Sequence, residues 1–264
     1  MVRRGQRRLR TAPWVLVLVA CADPGVPPSL EVFAASSLTD ALPAVSAAFE
    51  RLHPGVRVRH SFAGSQVLRL QLEEGADADV FVSADPRQLE ALQQAGRLVA
   101  PRVVAEVPLV LALAEEAPAL SGLEELPRVK RLVLGTPGVP IGRYARALLD
   151  AAASRYGEPW RRSVDDRVVS EESNVRLVRA KLLLGEADAA FLYASDLVGA
   201  TALRAVALPD FAPRARLGAG RLRRSGPAAA KADAYLAFLA SPAAQAILAR
   251  HGLRRAASAA PDGP

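Results

Sequence analysis

Only one cysteine and three histidines occur in the 264 residues, and that scarcity removes several kinds of chemistry at once. With Cys21 alone, no intramolecular disulfide can form. His53, His60 and His251 are scattered and no H-E-x-x-H is present, so no metal-ligand spacing exists. No G-x-S-x-G elbow surrounds Ser37 or Ser65, the two serines that would otherwise suggest a hydrolase. His60 lies within an alternating strand, five residues before Ser65, while His53 precedes Pro54 and His251 precedes Gly252. A G-x-x-x-x-G-K-[ST] phosphate loop is missing as well. No apolar run approaches the roughly 20 residues that a membrane-spanning helix needs, and no fixed repeat of about 20–50 residues is visible.

Acid is absent from residues 1–20, where Arg3, Arg4, Arg7, Arg8 and Arg10 supply five of the seven net positive charges. The pI of about 10.3 first suggests nucleic acid, but without that segment the chain carries only +2, so no nucleic-acid partner is expected. The basic stretch runs into WVLVLVAC, a short apolar run with small residues before Cys21, which describes an export signal. LVAC also resembles a bacterial lipobox, which makes residues 1–21 a signal peptide and Cys21 the lipidated anchor to the membrane. The plain alternative is a secretory peptide with an incidental cysteine. Residues 22–29 (ADPGVPPS) have linker composition. A DNA-binding regulator would need a helix-turn-helix ahead of residue 30, where the export signal stands.

From Leu30 onward, strand-like and helix-like segments alternate, which predicts α/β architecture with parallel sheets covered by helices. LEVFA leads to a helix over 38–52, on which Leu38, Leu42, Val45 and Phe49 share a face. VRVRHSF, a helix over 65–74 and DVFVS follow; Asp85, Pro86 and Gly96 then mark the start and stop of a further helix. A second series begins at Val107 and includes RLVLG, a helix through Tyr144, RVVS, a helix from about Asn174, and AAFLY. Two helices close the chain, the second with Ser241 as cap and Gly252 as stop.

One theme recurs: a strand, then a Ser/Gly/Pro turn, then a helix start, at AASSLTD, SFAGSQVL, GTPGVPIGRY and SEESNVRLV. Helix N-termini offer unpaired N–H donors and a partial positive charge, so several facing one cleft would hold an anion without lysine or arginine. Each turn also has a plain structural reading. Ser37 and Asp40 fit an S-x-x-[DE] capping box, Gly64–Ser65 is an ordinary strand-to-helix turn, and Tyr193 fits a half-buried core position.

Taken together, FAASSLTDAL, HSFAGSQVL with EEGADADVFVSAD, PGVPIGRYA, NVRLVRAKLLLGEADAAFLYASD and YLAFLASPAAQAILARHGL carry a family likeness. Over residues 30–253 the chain resembles the periplasmic molybdate-binding proteins of bacterial ABC importers. The resemblance implies the type II periplasmic-binding-protein fold, with domain I at 30–106 plus 211–264, domain II at 107–210, and two crossover hinge strands. It implies a monomeric, exported receptor that needs no cofactor, is not an enzyme, and passes molybdate or tungstate to an ABC permease. Motif by motif, it places hydroxyl donors at Ser37, Ser65 and Tyr193 and backbone N–H donors at Ile141 and Val175. Ile141 stands where a smaller residue is common, and RLGAGRLRRS (216–225) replaces a more apolar strand. Within the same fold, sulfate, phosphate or an organic anion is the alternative ligand.

Overall fold

The computed structural model describes residues 29–224 and 226–256. The expected signal peptide, Cys21 and the linker up to residue 28 lie outside the described residues. Ser29, placed in the linker by composition, opens the first strand instead.

Nine strands form one continuous twisted sheet among the described residues, ordered β2-β1-β3-β9-β4-β7-β5-β6, with β8 also paired to β4. One group comprises β1 (Ser29–Ala35), β2 (Arg57–Ala63) and β3 (Val80–Ser83), all parallel. The other comprises β5 (Leu132–Gly135), β6 (Val168–Glu172) and β7 (Ala189–Tyr193), again parallel. Every antiparallel pairing involves β4 (Leu98–Ala114) or β9 (Arg214–Leu222), the two strands that join the groups. The first part of β4 pairs with β9, and its last residues lie between β7 and β8 (Leu203–Val206). Leu98 and Val107 thus belong to a single strand, although Pro101 and Pro108 in its sequence suggest an interruption.

Helices cover both faces, which is why β1 is apolar from Val32 to Ala35 while its more buried face alternates through Leu30, Val32 and Ala34. Leu30, Val32 and Ala34 face a core shared with Phe49 of α1 (Leu42–Leu52) and Tyr235 of α7 (Pro227–Leu239). Phe33 packs on the opposite side, against a smaller cluster that includes Leu68 of α2 (Ser65–Glu73) and Leu89 and Leu92 of α3 (Pro86–Gln94). On the far side of the sheet, α4 (Pro140–Tyr156) buries Tyr144, Ala145, Leu148, Leu149 and Ala152 at the spacing of one helix face. The helix α5 (Glu158–Asp165), which the periodicity does not reveal, follows a break at Gly157, whose φ is +88°. The chain ends in α8 (Pro242–Arg250), where Ser241 Oγ accepts from Ala244 N.

Two local expectations change. The helix expected over 38–52 becomes a 3₁₀ turn at Ser36–Leu38 followed by α1 from Leu42. Pro43 is the reason: its missing N–H and its ring are tolerated only in the first turn of a helix. The polar segment 216–225 contributes β9, paired on both sides in the middle of the sheet. Its glycines make this possible, because a Cβ on Gly218 would meet Leu89 at 2.8 Å and one on Gly220 would meet Leu98 at 2.5 Å.

The described histidine with a shifted equilibrium serves the core. Ser46 Oγ lies 2.8 Å from His60 Nε2 and 2.7 Å from the Tyr235 hydroxyl, and Ser46 is buried on α1. Burial lowers the His60 pKa from its ordinary value, partly opposed by Glu50. A lowered folded-state pKa means that the unfolded chain binds the proton first. The His60 contribution therefore falls as pH drops below about 6.5 and levels off below the folded-state value. Buried carboxylates move the total in the opposite sense, so the informative quantity is a difference. In urea unfolding, the stability advantage of the wild type over His60→Gln is expected to shrink between pH 7.5 and pH 5, within a range of about 2 pH units around the ordinary histidine pKa.

Candidate functional site

The carboxyl ends of the parallel strands meet where the two strand groups face each other. Here β1 runs into the turn Ser36–Leu38, β2 through Gly64 into α2, β5 through a short loop into α4, and β6 into α6 (Val175–Leu183). Such ends are where open α/β sheets bind ligands. Ser37, Ser65, Ile141, Val175 and Tyr193, the five residues marked by the family resemblance, line one small cavity. No residue lining it carries a charge.

Backbone geometry makes this cavity rich in donors. The first N–H groups of a helix have no intrahelical acceptor, and Ser65, Ile141 and Val175 all stand in the first turns of their helices. At α2 and α4 the cap residues, Gly64 and Val139, give no side-chain cap. Asn174 does cap α6, with its side-chain oxygen accepting from Arg176 N and Leu177 N, which leaves the Val175 N–H unclaimed by that cap. The start of α4 presses hard on the end of β5: a Cβ on Gly142 would lie 2.2 Å from the Thr136 carbonyl oxygen. Gly142 in VPIG therefore serves close approach, a role the loop sequence alone does not reveal.

Three hydroxyls complete the lining. Ser37 Oγ and the Tyr193 hydroxyl are buried and have no hydrogen-bond partner among the described residues. Ser65 Oγ accepts from Ala84 N at 3.1 Å, so its own proton remains free to donate. Burial pushes the Tyr193 pKa well above its ordinary value, with Tyr144, Asp196 and Asp85 adding to the shift and Arg143 opposing it. Tyr193 is accordingly a neutral donor. The capping-box reading of Ser37 with Asp40 does not hold: the Ser36–Leu38 turn has no side-chain cap. Thr39 Oγ1 donates to the Ser36 carbonyl instead, and Asp40 pairs with Arg176 at 2.5 Å. The two groups of the old expectation are thereby released for separate work.

Charged residues surround the site without entering it. Asp196 is buried beneath Tyr193, accepts from Tyr193 N at 3.1 Å, and has its pKa raised to about 6 by burial, against the pull of Arg176 and Arg179. Asp85 caps α3 through Oδ1 and receives Arg143 on Oδ2 at 2.9 Å. The motifs contain these residues and Asp85 is legible as a cap, but the pairing of Asp85 with Arg143, 58 residues away, leaves no local signal.

Buried hydroxyls and helix starts line a small cavity free of charged residues, an arrangement chemically suited to a compact, fully deprotonated anion. Comparison with known proteins agrees with that chemistry. Residues 30–254 match the family described as bacterial extracellular solute-binding protein. The molybdate-binding protein ModA of Mycobacterium tuberculosis is 31% identical over 231 residues, covering 86% of this chain and 85% of its own. Among solved structures, the periplasmic molybdate-binding protein of Azotobacter vinelandii superposes with a TM-score of 0.72 at 20% identity, covering 85% of this chain and 98% of that one. The sulfate-binding protein SubI of Mycobacterium tuberculosis reaches 0.76 at 16% identity, with 88% of each chain covered. The last two likenesses establish the type II periplasmic-binding-protein fold. The chain belongs to the bacterial extracellular solute-binding proteins and, within them, to the molybdate-binding family of ABC-transporter receptors.

Proposed function

We propose that this protein captures molybdate or tungstate and delivers it to an ABC permease, acting as a receptor and not as an enzyme. The observation that carries the reading is the pair of buried hydroxyls, Ser37 Oγ and Tyr193 OH, unpaired beside one uncharged cavity. A buried hydroxyl without a partner costs about 1–3 kcal/mol, a cost that an oxyanion would remove. Under this proposal Ser37, Ser65 and Tyr193 donate through their hydroxyls, and Ile141 and Val175 through their backbone N–H groups.

An all-donor shell favours a dianion without protons. Hydrogen phosphate would turn its proton toward donors and leave one of them unpaired. Sulfate has the right charge and shape, so only the dimensions of the cavity can reject it.

The proposal includes two domains, 30–106 with 211–264 and 107–210, joined by crossovers near residues 106 and 210. It is supported by the strand groups on either side of β4 and β9 and by donors contributed from both. An anion bridging the two gives the closed form contacts that an open form lacks. The proposal extends to export and to tethering at Cys21, which the lipobox likeness of LVAC supports.

Calorimetric titration with molybdate, tungstate, sulfate and phosphate is the deciding experiment. Heat is expected with the first two, and binding of sulfate alone would overturn the assignment. Ser37→Ala is expected to weaken molybdate binding by about 1.5–3 kcal/mol while the melting temperature stays close to wild type. An unchanged affinity with lower stability would return Ser37 to a purely structural role. Tyr193→Phe removes a donor at nearly constant volume and is expected to cost a similar amount, about 1.5–3 kcal/mol, in the same titration.

A further inference from the structure

Two arginines stand within two residues of the proposed backbone donors, and neither lines the cavity. Arg143 stands two residues after Ile141, and Arg176 one residue after Val175. Each reaches an acid on the opposite strand group. Arg143 Nε and a terminal nitrogen lie 2.9 and 2.8 Å from Asp85 Oδ2, a nearly inaccessible carboxylate. Arg176 donates through Nε to the Ser36 carbonyl at 3.0 Å and through a terminal nitrogen to Asp40 at 2.5 Å. Its Nε also lies 3.8 Å from the buried Asp196 Oδ1.

These contacts act on the site through the backbone. The Ser36 carbonyl belongs to the same peptide unit as the Ser37 N–H. In a trans peptide the two point in opposite directions, so fixing the carbonyl on Arg176 fixes the direction of the Ser37 N–H. On the other flank, Asp85 adjoins Ala84, whose N–H holds the Ser65 hydroxyl in its accepting orientation. One arginine thus stabilises each serine turn from across the cleft.

We infer that Arg143–Asp85 and Arg176–Asp40 form a two-point charge latch that holds the two halves of the site closed and sets the rate of ligand release. The inference rests on the proposed function for its ligand, but the latch itself is a property of the protein. It keeps cationic charge out of the binding shell while using it to govern closure. Arg143 and Arg176 are positioning residues in this scheme. Opening hydrates four charges that are partly desolvated when closed, so each pair biases the equilibrium without locking it.

Affinity should consequently respond to salt, although no charged side chain touches the ion. Screening lengths fall from about 10 Å at about 0.1 M to about 3 Å at about 1 M salt. The acids are the better side to mutate, because removing Arg176 would also strip Asp196 of a neighbour. Asp85→Asn retains a good helix cap and Asp40→Asn is a surface change. In the full chain, each is expected to raise the rate of molybdate release about tenfold with little change in association, as release is the step that most interface changes affect. The double variant is expected to lose most of the wild-type dependence of affinity on sodium chloride, with a melting temperature near wild type. Arg143→Gln combined with Asp85→Asn should cost no more than either alone, the signature of a coupled pair.

Small-angle scattering of the ligand-free chain separates this inference from the assignment of ligand. At low salt the double variant Asp40→Asn/Asp85→Asn is expected to be more extended than the wild type, whichever anion the protein binds. Equal dimensions and equal release rates would overturn the latch. If the wild type binds no tested oxyanion yet the double variant opens, the latch stands and the functional assignment fails.

Discussion

Donors that converge on one point repel one another, and the rest of the molecule is arranged to hold them there. Each helix start carries roughly half a positive charge, and the turns of Ser37, Ser65, Ile141 and Val175 bring several such ends to the same small cavity. No flexible loop could keep them in register without an ion present. The parallel strands do so, because each turn follows the end of a strand held in register by its neighbours, and β1 and β5 are themselves largely buried. The close backbone approach at Gly142, where a Cβ would lie 2.2 Å from the Thr136 carbonyl oxygen, and the Ser65–Ala84 hydrogen bond show how closely these turns are bound to the sheet.

Antiparallel pairing has a separate job. A sheet made only of βα units would place all its strand ends along one edge of a single domain. Inserting β9 between β3 and β4, and letting β4 run on to meet β7, turns a second set of strand ends toward the first. The cavity lies between the two sets. Its lining is thus a consequence of topology: strand ends and helix starts from both sets contribute to it, and the fold decides where they lie. Gly218 and Gly220 matter here as much as any residue of the site, because side chains at those positions would collide with Leu89 and Leu98.

Much of this was legible in the sequence. Strand and helix alternation and the Asp85 and Ser241 caps carry local signals of spacing and residue type, whereas the five residues that line the cavity were marked by the family resemblance of their motifs. The exceptions share a physical cause. β9 alternates Ala215, Leu217 and Ala219 with two exposed arginines and two glycines. Its buried positions are therefore built largely from small residues and the missing side chains of Gly218 and Gly220, which hydropathy does not register. The Ser37–Asp40 pair has the spacing of a capping box, yet Pro43 shifts the helix start and Arg176, 136 residues along the chain from Asp40, claims the carboxylate. Arg143 and Asp85 are 58 residues apart and neither falls in a recognisable pair. Contacts of that kind belong to the assembled halves and leave no mark in a local window.

Neutral donors inside and paired charges outside amount to a division of labour. Had Arg143 or Arg176 pointed into the cavity, its charge would attract any anion, protonated or not, and the penalty for a misplaced proton would shrink beside the Coulomb term. Directed outward, the same charges leave discrimination to hydrogen-bond count and cavity size. A residue one position beyond a main-chain donor is well placed for this, since successive side chains of a helix start diverge while the backbone N–H groups remain nearly parallel. Val175 and Arg176 show the contrast at adjacent positions: one lines the cavity, and the other grips the opposite wall through Ser36 and Asp40.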